Sequence, residues 1–127
     1  MAITPALYPV QIAALQSYRQ RVRAYVNADV LDLKASIRSR DNVRELLNFE
    51  IEIVTPTEIL PIGFVLPNGE PLTTEGARVT FDIYAPADEI SLLNEDGIWM
   101  LQVSDKVPPY DSALLMYGPA SLNYAAI

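Results

Sequence analysis

Glycine and proline are almost missing from the first part of this chain and crowded into the rest. None lies between residues 10 and 55, while all five glycines and eight of the ten prolines fall from residue 56 onward. These residues end helices and make tight turns, so the first part is free to build long regular elements and the second must reverse often. Charge divides near the same point. Residues 1–49 carry seven Arg/Lys against four Asp/Glu, a net +3, and residues 50–127 carry two against twelve, a net −10. The sequence reads as a basic leader joined to an acidic, frequently turning body. Opposite charge on two parts of a molecule orients them against each other or against neighbouring copies.

The leader carries a helical pattern. Ile12, Leu15, Tyr18, Val22, Tyr25 and Val26 recur at spacings of three and four, one stripe of an amphipathic helix. Pro9 suits its first turn, where a missing N–H costs nothing. Arg19 and Arg23 border one side of the stripe and Arg21 the other. Asn27 reads as the N-cap of a second helix, with Asp29 in its first turn and Val30, Leu33 and Ile37 on its buried side. Asn42 followed by Glu45 resembles a capping box for a third, short helix through Leu46 and Leu47. One bent helix over residues 10–48 fits the same pattern.

The period then changes to two. Phe49, Ile51 and Ile53 alternate with Glu50 and Glu52, and Val79, Phe81 and Ile83 alternate with Arg78, Thr80, Asp82 and Tyr84. Between them, residues 59–66 read as an edge strand or bulge interrupted by Pro61 and Gly63. Pro67-Asn68-Gly69 is a reversal signal, and Asp96-Gly97 is a second, separating strands at residues 90–93 and 98–103. Reversals at this spacing, without helical patterns between them, imply antiparallel pairing.

The two ends are unusual. Neither residues 1–18 nor residues 112–127 contain a charge, although solvated charges are usual at termini. Leu114, Leu115, Met116, Tyr117, Leu122 and Tyr124 would be aggregation-prone if left free. Both ends therefore need cover, from this molecule's own core or from a neighbouring subunit.

Composition narrows the chemistry. There is no cysteine and no histidine, which removes disulfides, thiolate ligands, the commonest metal ligand and the commonest general base. The net charge of −7 disfavours nucleic acid and anionic membranes as partners. No apolar run reaches the ~20 residues of a bilayer span, and no basic region precedes an apolar segment as in a secretory signal. The acidic pairs Asp88-Glu89 and Glu95-Asp96 suggest oxygen ligands, but the loop at residues 92–103 lacks a ligand at its first and last positions, Leu92 and Val103. Glu52, Glu58 and Asp82 are the best carboxylates for two-carboxylate catalysis, although outward strand positions explain them more simply. Lys34 and Lys106 are the only lysines for nucleophilic chemistry; Lys34 is expected on a helix beside charged neighbours and Lys106 in a polar turn, and neither reads as desolvated. No phosphate-binding glycine loop precedes a helix. The arginines at 19, 21, 23, 38, 40 and 44 form the one basic patch, either a wet face paired with this chain's own carboxylates or a docking face for an acidic partner, such as the acidic body of the next subunit.

The expectation is one α+β domain over residues 1–127. It comprises an N-terminal helical segment of two or three helices (1–49), an antiparallel β sheet, sandwich or small barrel (50–111) and an apolar C-terminal tail (112–127). The expected function is a non-enzymatic structural subunit of a multi-copy assembly, cytoplasmic or in a virion. Small accessory proteins of phage particles (tail, neck or capsid-decorating subunits) are similar in size and layout, an analogy of architecture alone. Its partners are copies of itself or neighbouring assembly proteins, without nucleic acid, membrane, metal or cofactor. Arg19, Arg21, Arg23, Tyr8, Leu114, Leu115, Tyr117, Leu122 and Tyr124 are the candidate interface residues. The alternative is a monomeric binding module for a protein or small apolar ligand, with a pocket near Phe64, Phe81 and Trp99.

Overall fold

In the computed structural model, which describes residues 6–123, the chain is built almost wholly of strands. They are β1 (Ala6–Leu7), β2 (Val10–Ala13), β3 (Tyr18–Ala24), β4 (Leu31–Ser39), β5 (Glu45–Asn48), β6 (Glu50–Leu60), β7 (Gly76–Ala85), β8 (Gly97–Asp105) and β9 (Ser112–Asn123). The single helix among the described residues, α1 (Ala87–Ile90), is one turn long. Among the described residues no helix is long and apolar enough to cross a membrane.

The strands form two sheets. The larger has the order β1-β9-β8-β4-β5, with β2 continuing beside β9 after β1; the smaller is β3-β7-β6. All pairings are antiparallel except those of β1 and β2 with β9, which are parallel. This is a Greek-key sandwich with immunoglobulin-like strand order, in which the first strand lies in the sheet of the last.

The core lies between the sheets and follows the pleat. Trp99, Leu101 and Val103 of β8 point inward, aligned with Ile37, Ala35 and Leu33 of β4. Val79, Phe81, Ile83 and Ala85 of β7 face them from the smaller sheet, all essentially without solvent contact. Each large apolar side chain buried this way contributes about 1.5–3 kcal/mol. The body expected over residues 50–111 thus has the period-two faces anticipated for β7, while at β6 the pattern holds for Phe49 and Ile51 but not for the exposed Ile53, and Pro67-Asn68-Gly69 does reverse the chain, with Gly69 at φ +88° and Leu66 N–H bonded to the Glu70 carbonyl.

Over the described residues the helical leader expected for 1–49 is absent, and with it the α+β class: the fold is an all-β sandwich. Two members of the supposed helical stripe, Leu15 and Tyr25, are exposed, whereas Val10, Ile12 and Ala14, then Val22, Ala24 and Val26, are buried at period two. Leu15 adopts φ +65° in the turn that carries the chain from the larger sheet to the smaller. The Asn27 signal is real but serves a turn. Its side-chain oxygen accepts the Asp29 N–H at 2.9 Å, and its carbonyl accepts the N–H groups of Val30 and Leu31. Asn42 sits at φ +61° between β4 and β5 and caps no helix. Ile90, expected in a strand, belongs to α1. Asp96-Gly97 leads into β8 rather than making a hairpin, and a Cβ at Gly97 would collide with the Arg38 carbonyl.

The boundary near residue 49 marks a crossover between sheets. Phe49 passes from β5 to β6, donates its N–H to the Ala35 carbonyl at 2.9 Å and packs its ring against Tyr18. Both sheets mix the two halves of the sequence, since β8 lies between β4 and β9 and β7 lies between β3 and β6. The apolar tail over residues 112–127 enters the larger sheet as β9 as far as Asn123, so over the described residues the uncharged ends pair as strands while Leu7 and Tyr117 stay exposed.

Candidate assembly surfaces

The outer face of the smaller sheet holds the most charged cluster. Alternation along β3 places Arg19, Arg21 and Arg23 outward, because Val22 and Ala24 are buried. In register across the sheet, Arg21 lies opposite Asp82, which lies opposite Glu52, while Arg19, Tyr84 and Glu50 form the next row. Arg21 Nε donates to Asp82 Oδ1 at 3.0 Å, and Arg19 Nη1 donates to Asp82 Oδ2 at 3.1 Å and also to Glu52. The Arg19 guanidinium lies 4.5 Å from the centre of the Tyr84 ring. Only 4 % of Asp82 is exposed. Arg21, with Arg19 beside it, holds the Asp82 carboxyl below the usual carboxylate range against the opposing effect of its burial. Arg19 is shifted upward by Glu52 first and Asp82 second. A carboxylate so held accepts hydrogen bonds and is a poor proton donor at neutral pH.

Arg19 and Arg21 are therefore engaged within their own molecule. Arg23 is not: neither it nor Glu50 forms an ion pair among the described residues. The sequence reading missed this network because it placed the arginines on a helix. Their strict alternation at 19, 21 and 23 was the available signal.

The second surface is the outer face of the larger sheet, where the remaining candidates gather. Leu7 and Tyr117 are direct neighbours in the parallel β1–β9 pair, and Met100 lies opposite Tyr117 on β8. Leu7 is 65 % exposed and Tyr117 38 %. Leu114, opposite Gln102, is half-buried on the same face. Leu115 and Leu122 instead pack toward the core, and the Leu122 N–H donates to Asp96 Oδ1 at 2.8 Å. The exposed ring of Tyr8 meets Trp99 edge-on. Tyr124 lies outside the described residues.

A third feature was not anticipated. An open cleft of about 420 Å³ lies at one end of the sandwich, bounded by Tyr25, Val30, Ile59 and Ala77 with Glu75 and Asp105 at its rim. The pocket expected near Phe64, Phe81 and Trp99 is not formed as such, because Phe81 and Trp99 are core residues. Trp99 instead contributes to a small cleft of about 130 Å³ with Tyr8, Met116 and residues 20–23 of β3.

The other groups considered for chemistry have structural partners. Glu58 pairs with Arg78 at 3.0 Å and Lys34 with Glu45 at 3.4 Å. Glu95 binds Arg44 at 2.7 Å and Asp96 binds Arg40 at 3.2 Å, tying the segment before β8 to the β4–β5 turn. Asp88 and Glu89 lie in α1. Lys106 is exposed in the β8–β9 loop. Among the described residues no three acidic side chains converge as a metal site.

No protein-family model matches the sequence, and no curated protein matches it. Among solved structures, one similar chain is AggA, the major subunit of aggregative adherence fimbriae type I from Escherichia coli. It is 7 % identical with a TM-score of 0.39, over 94 % of this chain and 91 % of that one. Another is a family 123 glycoside hydrolase from Clostridium perfringens, 11 % identical with a TM-score of 0.45. There the match covers 94 % of this chain but only 23 % of the hydrolase. Likeness at this level transfers no function. The expectation of an α+β protein is corrected, because the fold is all-β, and neither of these two neighbours is a phage protein.

Proposed function

We propose that this chain is a non-enzymatic structural subunit that packs against copies of itself in a multi-copy assembly. The observation that carries the reading is the apolar strip on the outer face of the larger sheet, where Leu7, Tyr117 and Met100 stand side by side in register. A flat sheet face presenting Leu and Tyr to water gains about 25 cal/mol for each Å² covered, and Tyr is a favoured interface residue. The engagement of Asp82, Glu52, Glu58 and Lys34 in ion pairs supports a structural rather than a catalytic use of those groups.

Size-exclusion chromatography with light scattering, over a concentration series, tests it. The wild type is expected above its 14.1 kDa chain mass, and Leu7→Asp with Tyr117→Asp is expected to lower the assembled mass. A wild type that stays monomeric at every concentration overturns the reading.

A second reading, a monomeric binding module, is favoured by the open cleft beside Tyr25, Val30 and Ile59. Thermal shifts with small apolar ligands, lost on Val30→Asp, would support it instead, because binding to the native state raises its apparent stability.

A further inference from the structure

The smaller sheet has two free edges of unlike charge. Among the described residues β3 pairs only with β7 on one side, and β6 pairs only with β7 on the other. Both run antiparallel to β7, so β3 and β6 are parallel to each other. The β3 edge presents Arg19, Arg21 and Arg23 on the outer face, and the β6 edge presents Glu50 and Glu52. Open edges template pairing with another chain.

We infer that copies of this chain join head to tail through these edges, β6 of one copy pairing in parallel with β3 of the next. The inference rests on the reading that the chain assembles with itself.

The alternatives fail on charge. Joining β3 to β3 sets arginine rows against each other, and joining β6 to β6 sets glutamates against each other; like charges directly opposite are destabilising. Only the unlike combination matches. It also needs no reversal, because a copy placed alongside in the same orientation already offers β3 in the direction β6 requires. In this joint Arg23 of the next copy is set beside Glu50 of the first, so the two charges of this outer face that form no ion pair within one molecule become partners of each other. The sheet continues as β3-β7-β6 repeated, a heterologous contact that closes as a ring or runs on as a filament.

The joint is short. Pro56 and the register shifts after Ile53 confine regular pairing to the start of β6. Ile53 and Val54, 49 % and 42 % exposed at this edge, add apolar surface for the neighbour to cover. A contact of this size depends strongly on charge and is therefore sensitive to salt.

Charge reversal tests it at positions outside the internal network of Arg19, Arg21, Asp82 and Glu52. Arg23→Glu alone and Glu50→Lys alone are each expected to weaken association about tenfold or more in sedimentation velocity at low salt. The double variant, with the charges exchanged, is expected to recover it. Far-UV circular dichroism shows whether each variant retains its fold, and Arg23→Gln with Glu50→Gln replaces any that does not. If the wild type assembles but these variants behave as the wild type, or the double variant fails to recover, the head-to-tail joint is wrong while the subunit reading stands. A wild type that never assembles removes both.

Discussion

The indole N–H of Trp99 donates to the backbone carbonyl of Tyr8, 91 positions earlier in the chain. The bond replaces one that the sheet cannot make. Tyr8 N–H donates to the Tyr117 carbonyl at 2.8 Å, so in a parallel ladder the Tyr8 carbonyl would next accept from residue 119. That residue is Pro119, which has no N–H. Gly118 completes the joint: it lies opposite Trp99, and a Cβ there would strike the Tyr8 carbonyl and come within 2.8 Å of its carbon.

Trp99→Phe keeps an aromatic ring but leaves the Tyr8 carbonyl without its donor, an expected loss of about 1–3 kcal/mol. Gly118→Ala pushes β1 away from β9, with an expected loss of about 1–3 kcal/mol. The two changes undo the same joint, so together they are expected to cost less than their sum. Urea unfolding followed by far-UV circular dichroism measures all three. Strict additivity would show that the residues act separately.

Asp82 predicts an acid limit to stability. Its folded-state pKa is lowered, chiefly by Arg21. The contribution is therefore complete above the unfolded carboxylate value near 3.8 and is lost as pH falls through the lower folded value. Asp82→Asn is expected to be less stable at pH 7, with a smaller further loss on acidification than the wild type. Urea midpoints across the acid range provide the check, and parallel curves for the two proteins would remove Asp82 from this role.

The central strand β7 was legible because its alternation is clean: Val79, Phe81 and Ile83 point inward and their neighbours outward. In the N-terminal half two periods overlap. Val22 and Val26 fit a spacing of four as well as a spacing of two, and nothing in residues 10–55 interrupts a helix. Tertiary pairing decided between them, since β3 and β4 gain ladder partners in β7 and β8 that lie some 60 residues further along. The Arg19-Arg21-Arg23 alternation already favoured a strand.

The candidate surfaces were legible by residue type rather than by place. The uncharged ends held Tyr117 and most of β9, but not their place beside Leu7 in one sheet. They meet, over the described residues, in a parallel pairing of the first and last strands that no local pattern encodes. Asp82 was read as a solvated outward residue. Its burial arises only when β3 and β6 bring Arg19, Arg21 and Glu52 around it.

Burial separates large effects from small ones. Phe81, with no solvent contact at the centre of β7, is expected to lose about 3–5 kcal/mol as Phe81→Ala. Val43, 71 % exposed between β4 and β5, is expected to change stability by no more than about 0.5 kcal/mol as Val43→Ala. Chemical denaturation distinguishes the two, and similar losses would place Val43 in a packed environment that the fold does not give it.

Tyr18 sets the alkaline limit. Its half-buried ring packs against Phe49 with centroids 5.5 Å apart, where the chain crosses between sheets. Burial first, and Tyr8 second, push its pKa from 10.0 up to about 12. The folded state thus keeps a proton that the unfolded chain releases sooner. Stability is fully present below pH 10 and is lost as pH rises toward 12. Partial exposure of the ring screens the effect, leaving about 1 kcal/mol. Tyr18→Phe has no proton to lose, so its stability is expected to decline less over that interval than that of the wild type. Urea unfolding at pH 9, 10 and 11 compares them. An equal decline in both would assign the alkaline loss to groups other than Tyr18.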